Sequence, residues 1–128
     1  MKVKYSKIFV DDQDKALKFY TGILGFSKKS DITNEDYRWL TMVSPDDRDG
    51  IELILEKNDN PAAKTYQKAI YEQNMPAANL VTTDVKKEFE RLEKLGVKFE
   101  VEPTEVMGGV TIAVLNDNCG NLIQIQNV

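Results

Sequence analysis

A chain of 128 residues, 41% hydrophobic and 30% charged, is long enough to bury one core and short enough to be one domain. Its net charge of −4 speaks against a nucleic-acid surface, whose affinity rests on clustered Lys and Arg, and no stretch approaches the roughly 18 apolar residues of a membrane span. The chain has no histidine, which excludes Ser-His-Asp and Cys-His nucleophiles, His-rich zinc sites and two-His-one-carboxylate iron sites.

In chain order, Val3 to Val10 is rich in β-formers and reads as a strand stopped by Asp11-Asp12. Asp12 can cap a helix over Gln13 to Ile23, whose Leu17, Tyr20 and Leu24 recur at spacings of three and four, with Gly25 as its stop. Phe26 to Ser30 is a short strand, Tyr37 to Val43 a stronger aromatic and β-branched one, and Ile51 to Leu55 follows the turn material of Ser44 to Gly50. Pro61 suits the first turn of a connecting helix over Ala62 to Gln73. The order then repeats: strand Ala77 to Thr83, helix Val85 to Leu95 stopped by Gly96, and strands Val97 to Val101, Val110 to Leu115 and Leu122 to Gln126. Pro103 and Gly108-Gly109 mark a loop, and residues 117–121 form the last tight turn.

Two pairs share one offset. Asp12 and Asp84, and Glu52 and Gln124, are each 72 residues apart, which a duplicated unit explains with less coincidence than unrelated segments would. The expected fold class is therefore α+β, a single domain of two βαβββ modules forming a curved mixed sheet around a cleft. Module 1 covers about residues 1–56, the helical connection about 57–76 and module 2 about 77–128. Asp12 to Gly25 is one residue longer than Asp84 to Gly96, a local slack in the repeat. The amino terminus lacks the apolar segment of a secretory signal, and a lone cysteine cannot form an internal disulfide, so a soluble cytoplasmic protein is expected.

The βαβββ order, the stretch from Asp12 to Tyr20 followed by Gly22-Ile23-Leu24-Gly25-Phe26, and the closing Asp117 to Ile125 resemble the vicinal oxygen chelate superfamily. That group contains glyoxalase I, bleomycin-resistance proteins and extradiol dioxygenases. The resemblance covers essentially the whole chain and implies a cleft lined by both modules and a homodimer. It also implies metal-ligand positions on the first and last strand of each module, which here fall at Tyr5, Glu52, Ala77 and Gln124. Only Glu52 is a strong divalent ligand; Gln124 and a neutral phenol are weak, and Ala77 is none. No catalytic metal and no other cofactor is expected.

Alternation sets Tyr5, Lys7 and Phe9 on one face of the first strand, the cleft face by the same resemblance. On the third strand, Arg38, Leu40 and Met42 oppose Tyr37, Trp39 and Thr41, and either set could face the cleft. The expected ligand-binding residues are Tyr5, Lys7, Glu52 and Gln124, and the expected partner is a small organic molecule, held in a mostly apolar pocket as the antibiotic-sequestering members of the superfamily hold theirs. The alternative is a lyase, isomerase or dioxygenase-like enzyme with Glu52 as acid/base, or as part of an atypical metal site; the residues do not decide whether any reaction is catalysed. Plainer readings stand beside these: Glu52 on the solvated face of an edge strand, Trp39 in the core or an interface, and Tyr5 as mere packing. Cys119 has neither a His nor an obvious Lys beside it in its turn and is not expected to be a nucleophile. Lys86, Lys87 and Lys94, interleaved with Glu88, Glu90 and Glu93, read as the wet side of a helix.

Overall fold

The structure, a computed structural model describing residues 1–128, divides into two compact units, Met1–Ala63 and Lys64–Val128. The first contains β1 (Tyr5–Val10), α1 (Gln13–Leu17), β2 (Ser27–Asn34), β3 (Tyr37–Val43) and β4 (Glu52–Lys57). Its four-stranded sheet has the order β1-β4-β3-β2, with β1 parallel to β4 and the other pairs antiparallel. A parallel pair needs a crossover, and α1 with the strands after it supplies one. Asp12 adopts extended backbone and its carboxylate accepts the Lys15 N–H, which fixes where α1 starts.

α1 covers one face of this sheet. Gln13 donates from Nε2 to the backbone oxygens of Leu55 (2.8 Å) and Arg38 (3.2 Å). Val10, Ala16, Tyr20, Leu40, Met42 and Leu55 are fully buried there. The Arg38 guanidinium ties that face together, reaching Asp31 through Nε and Nη2, both at 2.9 Å, and Asp14 of α1 through Nη1 at 2.7 Å. The two carboxylates hold Arg38 above its ordinary value, and the guanidinium holds Asp31 down at about 2.

The second unit repeats the plan. β5 (Ala78–Val81), α3 (Val85–Lys94), β6 (Phe99–Glu105), β7 (Thr111–Asn116) and β8 (Leu122–Gln126) form a sheet of order β5-β8-β7-β6. Asp84 caps α3 through the Lys87 N–H, as Asp12 caps α1. α3 lies on the face of Ala113, Leu115, Ile123 and Ile125, with Phe89 edge-on to Phe99 at 4.7 Å between ring centroids. α2 (Pro61–Glu72) begins in the first unit, and its later turns join the second. There Gln67 donates to the Cys119 carbonyl and the Asn121 side chain, and Tyr71 accepts from Asn116. Gly120, at φ +100, leaves room for that Gln67 amide; a Cβ there would lie 2.6 Å from its nitrogen.

The structure departs from the sequence reading at identifiable points. The first helix is not uniform: after Leu17 it continues as a π-helix over Lys18–Ile23, with Leu24 N–H bonding the Phe19 carbonyl five residues back. A wider turn absorbs one inserted residue without rotating the chain beyond it, which accounts for the extra residue between Asp12 and Gly25; both stop glycines take positive φ, +91 at Gly25 and +87 at Gly96. β2 runs on to Asn34 rather than ending at Ser30, because pairing with β3 holds its polar end in the ladder. β6 spans Pro103, expected in a loop; it is the end strand, and register shifts on either side of Val101 take Pro103 out of the paired set.

Candidate functional site

Register assigns the open face of the first sheet. Tyr5 lies opposite Glu52, Lys7 opposite Ile54 and Phe9 opposite Glu56, while Thr41 lies opposite Ile54 and Ile32 opposite Trp39. Strand partners share a face, so Tyr5, Lys7, Phe9, Glu52, Ile54, Glu56, Tyr37, Trp39 and Thr41 share the face that α1 does not cover. Of the two sets the sequence left open on β3, the set with Trp39 joins Glu52, and Arg38, Leu40 and Met42 lie toward the helix.

Glu52 is the centre of one end of this face. It is only 5% exposed on an interior strand, which overturns the reading of a solvated edge position. Its Oε1 accepts from the hydroxyl of Thr41 at 2.7 Å, and Thr41 is itself fully buried. Its Oε2 lies 3.7 Å from the Lys4 ammonium, which also donates to the backbone oxygens of Asp49 (3.0 Å) and Gly50 (2.9 Å). A carboxylate so held has paired charge and a fixed orientation, the condition under which burial of a charge is tolerated.

Tyr5 is 49% exposed and meets Trp39 edge-on, with ring centroids 5.4 Å apart. Trp39 is half-buried on this face and belongs to no helix-covered core. At the other end Lys7 pairs with Glu56 at 2.8 Å, and that carboxylate raises the Lys7 pKa above its ordinary value. Partial burial and a hydrogen bond to the same Glu56 raise the Tyr37 phenol. Alternation grouped Tyr37, Trp39 and Thr41 as one of two candidate faces, and only the position of α1 tells that theirs is the open one; Glu56, beyond the end of the strand expected over Ile51 to Leu55, joins them on it.

Gln124 lies in the second unit, on the face of its own sheet that α3 leaves open, and its amide donates to Gln126 Oε1 at 3.0 Å. Glu52 and Gln124 thus hold corresponding places in their units. Ala77 does not correspond to Tyr5: the residue opposite Gln124 on β5 is Asn79, so the pairing is shifted two residues from a uniform repeat. Cys119 is fully buried in its turn, with its N–H on Asp117 Oδ1, and Lys86, Lys87 and Lys94 are exposed on α3 as expected.

The donors do not suit a divalent metal. No three His, Cys, Asp or Glu residues cluster in the structure, and Glu52, the single strong candidate, already faces an ammonium. The remaining positions of the expected set offer a phenol, an amide and, with the corrected register, a second amide, Asn79.

Two four-stranded mixed sheets, each with a helix packed on one face, define an α+β fold built from repeated βαβββ units. Residues 2–125 match the Glyoxalase/Bleomycin resistance protein/Dioxygenase superfamily, and the chain belongs to it. It is 56% identical over 125 residues to protein YurT from Bacillus subtilis (strain 168), covering 98% of each chain. Among solved structures it resembles UcmS2, with a TM-score of 0.85 and 30% identity over 98% of this chain and 97% of that one. It also resembles TnmS3, an antibiotic binding protein from Streptomyces sp. CB03234, with a TM-score of 0.77 and 25% identity over 99% and 95% of the two chains. No helix is long and apolar enough to cross a membrane.

Proposed function

We propose that the chain binds a small organic molecule against the open face of its first sheet, without a catalytic metal. The observation that carries this reading is Glu52: a nearly buried carboxylate, oriented by Thr41 and Lys4, beside the half-exposed ring of Tyr5 and the half-buried ring of Trp39. An apolar aromatic wall with one fixed acceptor is what a flat ligand with a polar handle needs. Likeness to an antibiotic binding protein supports the same class of partner. Lys7 contributes through its pair with Glu56, and Gln124 holds the corresponding place on the second unit's own sheet. Sequestration is favoured over catalysis because both Glu52 oxygens already have partners, leaving the carboxylate a better fixed acceptor than a mobile base. A homodimer, resting on the family resemblance, and a cytoplasmic location, resting on the lone cysteine, are part of this reading.

The sole tryptophan, Trp39, reports on the face directly. A panel of polycyclic aromatic antibiotics, screened by thermal shift and by Trp39 fluorescence, is expected to contain a compound that raises Tm and quenches Trp39, with Tyr5→Ala and Glu52→Gln each weakening it. Absence of any such compound, or quenching that both variants leave unchanged, refutes the proposal.

A further inference from the structure

Lys7, Glu56 and Tyr37 come from three different strands and share the open face of the first sheet, with Lys7 and Glu56 in direct contact. Glu56 is mostly buried and paired with the Lys7 ammonium at 2.8 Å, and the Tyr37 phenol stands on the neighbouring strand of the same face. Lys7 and Tyr37 themselves are nearly half exposed, Tyr37 at 46%. An ammonium has three donors and a phenol two acceptor lone pairs, so after serving Glu56 the cluster still presents a donor and an acceptor to whatever lies on the face.

Its position gives it a partner. On β4 the residues facing this way are Glu52, Ile54 and Glu56, with Ile54 a buried apolar step between two carboxylates. Four strand residues at about 3.3 Å each separate the two by roughly 13 Å. Tyr5 sits beside Glu52, whereas Trp39 lies two residues beyond Thr41, the partner of Ile54; for their rings to meet, they lean toward each other across the middle of the face. The order along the face is thus acceptor, aromatic wall, acceptor. Each carboxylate has a lysine, Lys4 or Lys7, so each end presents polarity with its charge balanced.

We infer that Lys7, Glu56 and Tyr37 form a second polar subsite, which with Glu52 selects a rigid fused-ring ligand carrying a hydrogen-bond donor, an amine or hydroxyl, at each end. The inference rests on the proposed binding face and adds what that face discriminates. A ligand of the same rings without end donors desolvates the remaining lone pairs at both ends and offers them no hydrogen bond in return, which costs affinity.

Proflavine and acridine orange make the test. Both are cationic three-ring acridines; the end amines of proflavine donate, and those of acridine orange are fully methylated and do not. General attraction of a dye cation to an acidic protein is common to both, so the difference reads the donors. Titration calorimetry with Trp39 quenching is expected to show proflavine binding about tenfold tighter than acridine orange, the equivalent of one well-made hydrogen bond. Tyr37→Phe, a conservative change at a half-exposed position, is expected to remove most of that preference while leaving acridine orange unaffected, and Glu56→Gln to do the same. If proflavine binds and quenches Trp39 but Tyr37→Phe and Glu56→Gln leave the preference intact, the second subsite is refuted and the binding face stands. If neither dye quenches Trp39, the inference and the binding face both fail for this class of ligand.

Discussion

Thr41→Val isolates the bond that orients Glu52. Valine keeps the β-branch and the volume, so the sheet loses one hydroxyl and gains one methyl. The lost donor lies 2.7 Å from Glu52 Oε1 in a place where Thr41 is 0% and Glu52 5% exposed, so water does not replace it. A hydrogen bond to a charged group is worth about 1.5–3 kcal/mol. Stranding a buried charge completely costs about 3–5 kcal/mol, but Lys4 stays 3.7 Å from the other oxygen and limits the loss. The expected cost is about 2 kcal/mol, or a fall of about 1 M in urea midpoint if the slope is near 2 kcal/mol/M. Urea unfolding followed by Trp39 fluorescence measures it. Adding Glu52→Gln should recover about 1 kcal/mol, since a neutral amide with one bond missing is cheaper to bury than a carboxylate. A Thr41→Val cost below about 0.5 kcal/mol, or single-variant effects that simply add, would show that the bond does not hold Glu52 in place.

Two further outcomes rest on the same geometry. Asp31, held at about 2 against an ordinary 3.8 by the Arg38 guanidinium, has a depressed folded-state pKa, so its stabilisation is complete above 3.8 and is lost as pH falls through 2; after discounting for solvent at this partly exposed pair it is worth about 1 kcal/mol. Asp31→Asn should flatten the stability profile between those values, and an unchanged acid limb would refute the assignment. Protein purified without chelator and dialysed should retain no stoichiometric transition metal by elemental analysis; a metal that survives dialysis and is lost in Glu52→Gln would overturn the reading of the donors.

What the sequence made legible was whatever depends on local chemistry. Asp12 and Asp84 cap helices because an Asx carboxylate satisfies an N–H at the start of a helix wherever it occurs, and Gly25 and Gly96 end them because the backbone there needs positive φ. The π turn left a trace, one surplus residue, without saying how it would be absorbed. The pairing of β5 with β8 left none. A two-residue shift keeps every side chain on its own face, so alternation is blind to it, and Asn79 opposite Gln124 could not be told from Ala77.

The candidate site shows the same boundary more sharply. Both faces of β3 carry large apolar groups, Leu40 and Met42 on one and Tyr37 and Trp39 on the other, so hydrophobicity cannot choose between them. The choice is made by Gln13, Asp14 and Ala16, which place α1 against Leu55, Arg38 and Leu40. Once the helix occupies that face, Trp39 is left beside Tyr5, and Glu52 and Glu56 are left on the open face. A charged residue on an interior strand is costly unless it is paired, and both carboxylates are paired, with Lys4 and Lys7 from the strand-one segment beside them. Two glutamates therefore stand at opposite ends of an aromatic wall, each with a lysine beside it. That pattern argues for a face shaped to hold something with polarity at both ends.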